Sequence, residues 1–200
     1  MEITKAIDQI GQIHAHLTKA EVSRDYRAVP VACSGALAVA AAVFESRIVP
    51  GASPRALVAY WVVVAVVGFL VAGGGIFHRY VTAADATARR RTRTVMGQLL
   101  PCLAAGVAVT AALIDRGPDA VALLPGLWAV LFSLGIFASR PYLPRAVGFV
   151  ALFYLLAGAL LLGFSGNGVG FSTSMGLTFG PGQILAGLVL YWNLERKQYG

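Results

Sequence analysis

This chain is poor in charge. Only 12% of its 200 residues are Asp, Glu, Lys or Arg, and nine of those are acidic. An ordinary soluble domain is about a quarter charged. At 58% hydrophobic, with a strongly positive mean hydropathy, the chain has too little polar surface to cover a soluble globule. Histidine (three) and cysteine (two) are scarcer still. Cys33 and Cys102 both fall inside apolar runs. That excludes a disulfide-stapled secreted scaffold, and both read as small apolar fillers. A Walker loop, HExxH, GxSxG in a strand–turn–helix setting and CxxC are all missing, so those chemistries have no foothold. His14 and His16 would point about 200° apart on a helix and cannot share one metal. His78 reads as an interfacial anchor, since a b-type haem would want histidines inside the apolar runs. No cofactor or metal is expected. Without a nucleophile–base pair, neither is an enzyme.

What the chain does have is apolar length. Six segments, about 28–49, 56–77, 95–114, 120–139, 145–164 and 173–194, each reach across a hydrocarbon core of ~30 Å. Pro50–Pro54, Gly117–Pro118, Pro141–Pro144 and Ser165–Gly170 supply turn chemistry between them. The expected fold is an all-α membrane protein of six transmembrane helices (28–200), preceded by an amphipathic helix within 1–27. In that first stretch Ile3, Ala6, Ile7, Ile10, Ile13 and Leu17 share one helical stripe, suited to the membrane surface or to the protein's own bundle. No compact apolar h-region with a small-residue cleavage site precedes the first span, which is expected to serve as its own uncleaved targeting signal.

The basic residues orient the bundle. With the N-terminus inside, thirteen of the sixteen Lys and Arg fall in cytoplasmic segments; Arg47, Arg55 and Arg116 fall outside. The positive-inside rule then places both termini in the cytoplasm of a bacterial inner membrane. The run Arg89, Arg90, Arg91 and Arg93 is expected to extend the third helix beyond the membrane, with Asp85 favourably placed before Arg89. Its expected contacts are anionic lipid or a protein partner. Only Tyr80 is near to stack a base, which argues against nucleic acid.

Three entries into helices look alike: Arg27-Ala-Val, Arg93-Thr-Val and Arg145-Ala-Val each lead into small residues, as in SGALAVAAA, LAAGVAVTAA and LLAGALLLG. This pattern fits three parallel helical hairpins. Small-residue-rich membrane helices also resemble one another by composition alone.

Acidic, basic and His residues are missing from the interiors of all six segments; Glu45 lies near an end, beside Arg47. Coupled transporters usually keep such a group at mid-membrane. The sixth segment is the unusual one. Gly176/Gly180 and Gly182/Ala186 have small-xxx-small spacing. Gly180-Pro181-Gly182 should kink or unwind the helix. Freed carbonyls there, with Thr178 and Gln183, form a candidate polar site. Gln98 and Tyr154 (and, more remotely, Thr110 and Ser133) are candidates to converge on it. The alternative is a kink packed tightly against neighbours. Trp61, Tyr191 and Trp192 suit interface belts, and Trp128 a deeper position.

Leu124-Pro125-Gly126-Leu127-Trp128, the proline-rich turn after it, the glycine-rich fifth segment and GLTFGPGQILAG of the sixth together resemble a family of small, uncharacterised bacterial integral membrane proteins with about six helices. The amphipathic first segment resembles theirs as well. Pro181 and the YWNLER ending depart from that pattern. Genes of that family often neighbour a small winged-helix regulator, so the resemblance implies a membrane-stress or envelope role by association; it supplies no catalytic residue. Two functions are therefore expected. The first is a non-enzymatic accessory, structural or sensing subunit whose cytoplasmic face meets lipid or a protein partner. The alternative is a permease or channel for a small neutral solute, using a broken sixth helix. The small-residue faces also permit a homo-oligomer.

Overall fold

The computed structural model describes residues 28–82, 86–165 and 169–195, without the side chains of 75–92, 94–95 and 194–195. The amphipathic segment expected in 1–27 lies outside the described residues. Among the described residues there are helices and no strands. They are α1 (Ala28–Ile48), α2 (Pro54–Thr82), α3 (Ala86–Leu113), α4 (Pro118–Ala122), α5 (Leu124–Ser139), α6 (Val147–Gly163) and α7 (Phe171–Leu190). A 3-10 turn, Arg140–Tyr142, follows α5, and a π turn, Tyr191–Glu195, follows α7.

Local chemistry sets the ends. The Ser53 hydroxyl accepts the Ala56 N–H at 3.3 Å, and Pro54 opens α2, so a hydroxyl cap and a proline that needs no donor stand where helices favour them. After α3 the chain reverses at Gly117, whose φ of 104° lies in the region only glycine enters cheaply. Pro118 then starts α4. The single run expected over 120–139 is stepped at Leu123, because Pro125 has no N–H to give to the turn behind it. Leu143 before Pro144 is extended, as residues before proline prefer. The N–H groups of Val147, Gly148 and Phe149 then bond to the carbonyls three residues back, at 3.0, 3.1 and 3.0 Å. This tight opening turn delays α6 to Val147. The basic stretch 89–93 lies within α3, ahead of its apolar part, as expected.

Among the described residues, four helices are long and apolar enough to cross a membrane: Ala28–Ile48, Pro54–Gly74, Met96–Leu113 and, taken through the step at Leu123, Pro118–Tyr142. The fifth and sixth expected segments are helical but do not reach that mark. α6 has 17 residues, about 26 Å at a rise of 1.5 Å per residue. α7 has 20 residues, but Ser172, Ser174, Thr178, Pro181, Gln183 and its glycines dilute its apolar content.

Glycine governs how the helices meet. α1 lies along α7 in the most extensive contact of the molecule. A side-chain carbon on Gly35 would stand 2.7 Å from the Gly180 carbonyl oxygen and 3.0 Å from Gln183 Cβ. One on Gly176 would stand 2.5 Å from Ala42 Cβ, and one on Gly187 2.9 Å from the Ala28 carbonyl oxygen. α5 and α6 are joined in the same way. A carbon on Gly126 would stand 3.0 Å from the Gly158 carbonyl oxygen, and one on Gly158 2.8 Å from that of Gly126. At such distances backbones touch directly and carbonyls face Cα hydrogens, a weak but recurring bond. α6 and α7 pack together, α2 packs on α1, and α3 packs on α5.

The three expected hairpins are neighbours: α1 with α2, α3 with α5, α6 with α7. The seams between them are unequal. α1–α7 and α6–α5 are closed, whereas α2 and α3 meet only slightly. Their contact lies at one end, where Val58 joins Val109, Leu113, Val121 and Leu124. There the Arg55 guanidinium gives two hydrogen bonds to Asp115 Oδ1, at 2.6 and 3.0 Å. Both groups are exposed, so the pair contributes at most about 1 kcal/mol.

The closed seams should not tolerate side chains. Gly35→Leu or Gly158→Val should destabilise the detergent-solubilised protein by about 1–3 kcal/mol through overpacking. Gly106→Ala, where an added carbon meets nothing within 4 Å, should leave the thermal midpoint unchanged. Equal melting of all three variants would refute the seam.

Candidate functional site

The polar residues singled out in the sixth segment meet one outside it at the α6–α7 contact. Tyr154 of α6 is wholly buried. Its ring sits among three phenylalanines: Phe132 at 4.9 Å, Phe179 at 5.4 Å and Phe153 at 5.6 Å between centroids. Phe132 and Phe153 stand edge-on to it, the arrangement aromatic quadrupoles favour. The hydroxyl points at Gly182 of α7, where any side-chain carbon would collide with the Tyr154 ring and oxygen. Glycine at 182 is what lets a tyrosine fit at 154.

The Tyr154 hydroxyl has no hydrogen-bond partner of ordinary geometry. The Gln183 amide lies close enough to act on it electrostatically. Gln183 is also pressed against α1, through Gly35. The amide therefore stands where α1, α6 and α7 come together. Thr178, 3% exposed, is buried one turn before Gly182. Among the described residues, no charged group acts on the Tyr154 hydroxyl. Its chemistry is that of a neutral phenol and a neutral amide in an apolar setting: it can exchange hydrogen bonds, but it has no base to move a proton.

Four expectations change here. First, α7 runs unbroken through Gly180-Pro181-Gly182, so no unwound stretch offers free carbonyls. Pro181 does remove one N–H from the ladder. Its flanking glycines, however, are clamped, Gly180 by Val39 of α1 and Gly182 by Tyr154 of α6. Second, residues two apart on a helix face about 200° away from each other, so Gly180 and Gly182 meet different helices and do not line one site. Third, Gln98 is exposed on α3, a helix that packs on α5 and not on α7. It does not join the cluster, while Tyr154 does. Fourth, Trp61 is no lipid-facing belt residue. It is 1% exposed and donates from Nε1 to the Ser172 hydroxyl at 2.8 Å, tying α2 to α7. Tyr191 and Trp192 are exposed, as a belt requires.

Other polar side chains bridge helices. Trp128 Nε1 donates to Thr110 Oγ1 at 2.9 Å. Ser133 donates to the Ala151 carbonyl at 2.8 Å, and Tyr60 to the Ala41 carbonyl at 2.8 Å. Thr110 and Ser133 are thus engaged away from Gln183. Cys102 packs against Gly135, as a filler would, but Cys33 is exposed on α1 and fills nothing. Arg93 is exposed; the side chains of Arg89, Arg90 and Arg91 lie outside the described set. The phenylalanine shell has little trace in the sequence. Its only local signal is Phe153 beside Tyr154, and the other two rings arrive from α5 and α7.

A buried hydroxyl without a partner costs about 1–3 kcal/mol. Tyr154→Phe should therefore be neutral or stabilising by up to about 1 kcal/mol, whereas Tyr154→Ala should cost about 3–5 kcal/mol. Thermal unfolding in detergent reads both. A marked loss in the phenylalanine variant would mean that the hydroxyl is bonded after all.

In comparisons with known proteins, no family model, no curated protein and no solved structure matches the chain.

Proposed function

We propose that this protein is a non-enzymatic accessory or sensing subunit of a bacterial inner membrane. It crosses six times with both termini in the cytoplasm and meets lipid or a protein partner through its basic face. The topology is supported by the thirteen-to-three division of Lys and Arg. α6, with 17 residues, is short of full span, and the bilayer can thin locally around it at a modest cost. The likeness to small six-helix bacterial membrane proteins, carried by LPGLW and GLTFGPGQILAG, agrees with this proposal.

One observation carries the reading. Tyr154 and Thr178 are sealed into helix–helix contacts and Gln183 is half-buried beside them, while Arg93 and the apolar surfaces of α2 and α3 face outward. Gly182, Tyr154 and Thr178 are buried, and an unbroken α7 offers no row of carbonyls to a solute. By contrast, no residue of Met96–Leu113 is fully buried, and α2 hides little of itself. A subunit that works by contact presents its surface this way.

Substituted-cysteine labelling tests it. In a background without Cys33 and Cys102, cysteines at Thr178 and Gln183 should resist a membrane-impermeant thiol reagent from either side, while one at Arg93 should react from the cytoplasmic side. Labelling of the first two would overturn the accessory reading in favour of a permease for a small neutral solute.

A further inference from the structure

We propose that the Tyr154 hydroxyl and the Gln183 amide form a binding site for the carbonyl oxygen of a neutral, membrane-dissolved molecule that enters between α2 and α3. This deepens the sensing role proposed above and rests on it, since the ligand comes from the bilayer and not along a water path.

The hydroxyl is the starting point. Tyr154 is wholly buried and its O–H lacks a partner, an arrangement that costs stability and is rare in native cores unless the group has a task. Phenylalanine would fill the same space without that cost, so the oxygen is kept for something other than packing. The Gln183 amide lies beside it. A phenol O–H and an amide N–H both donate, and a carbonyl oxygen has two lone pairs with which to accept both. The ring surfaces of Phe132, Phe153 and Phe179 surround the pair. Among the described residues no charged group acts on the hydroxyl. A carboxylate or phosphate would have to be buried there without a counter-charge, at high cost. Two donors in an apolar surround therefore select a neutral acceptor.

The way in lies between α2 and α3. These helices meet at one end only, where Val58 joins Val109, Leu113, Val121 and Leu124. Further along, Ala65 and Phe69 continue the Val58 face of α2 at helical spacing, yet both are exposed. This parted stretch is level with Gln183. A carbon on Gly68 would stand 3.7 Å from Ser34 Cβ, and one on the next residue of α1, Gly35, 3.0 Å from Gln183 Cβ. α7 turns the matching side toward it. Gly180 meets α1 and Gly182 meets α6. The arc between them that faces the bundle carries Phe179, Gln183 and Ala186, all half-buried, while the opposite arc carries the exposed Leu177, Pro181, Ile184 and Leu188. Gln183 is the accessible member of the pair, so its amide can swing toward the opening and bring the Tyr154 hydroxyl within reach of a ligand.

The experiment follows the thermal midpoint of the full chain in detergent with three probes: dodecanone, decylubiquinone and dodecane. A carbonyl compound that binds only the folded protein should raise the midpoint. Dodecane, which has the same reach but no acceptor, should leave it unchanged. Tyr154→Phe, which is no less stable by itself, should need about ten times more of the carbonyl compound for the same shift, the effect of losing one buried hydrogen bond. Gln183→Met should weaken the response in the same direction. Tyr191→Phe, at an exposed tyrosine just beyond α7, should respond as the wild type does. A shift with dodecanone alone upholds the site and assigns it to a chain carbonyl; a shift with decylubiquinone alone upholds it and assigns it to a ring carbonyl. An equal shift with dodecane, no shift with either carbonyl compound, or an undiminished response in Tyr154→Phe overturns the site. A cysteine at Gln183 that reacts with the membrane-impermeant reagent would overturn the sensing role itself. A cysteine there that resists it, in a protein without a carbonyl-dependent shift, overturns only the site.

Discussion

The contact between Gly35 and Gly180 decides where the other helices can go. An apolar surround gives helices no hydrophobic reason to associate, so they hold together by close packing and by the few polar bonds that cross between them. Dispersion falls steeply with separation, and glycine is what allows two backbones to approach until a carbonyl meets a Cα hydrogen. α7 is caught this way by α1. On its other side, Gly182 admits the Tyr154 ring of α6, and α6 is locked in turn to α5 through Gly126 and Gly158. The chain α1–α7–α6–α5 is the frame. α2 is attached to α1 and, through Trp61, to α7, α3 is attached to α5, and the two meet each other at one end.

Polar side chains reinforce that frame. Trp61 to Ser172, Trp128 to Thr110, Ser133 to the Ala151 carbonyl and Tyr60 to the Ala41 carbonyl each cross between helices. Bonds of this kind contribute on average about 0.6 kcal/mol apiece in membrane proteins. They matter more for register than for total stability, since each fixes one helix against another at a single height. Tyr154 is the exception. Its hydroxyl is buried beside Gln183 without a formed bond, and its ring, not its oxygen, holds the surrounding helices.

This architecture separates two kinds of surface. The centre is closed by glycine and aromatic packing. The periphery, and α3 above all, keeps Leu100, Leu103, Val107 and Arg93 on its outward side, where packing within one copy makes little use of them. A contact function belongs to the second surface, and that is where the proposed subunit role lies.

Much of the fold was legible in the residues. The six helical segments, their turns at Gly117–Pro118 and Pro141–Pro144, and the continuation of α3 through its arginines follow from apolar run length, proline and glycine chemistry, and charge, all local properties. What could not be read locally was decided by neighbours. Gly180-Pro181-Gly182 carries every mark of a break, yet α7 stays whole because Val39 and Tyr154 clamp the glycines from two other helices. Trp61 has the composition of an interface residue, yet a serine 111 positions away receives its N–H inside the bundle. Gln98 and Tyr154 looked equivalent as polar residues in apolar runs. Only the assembly shows that one faces outward and the other lies at the centre. Apolar run length and turn chemistry establish that there are helices, roughly where they begin and end, and that their surfaces are apolar. Which face of each helix turns inward was left to the tertiary structure, because nearly every face is apolar and only the fit of particular glycines against particular side chains distinguishes them.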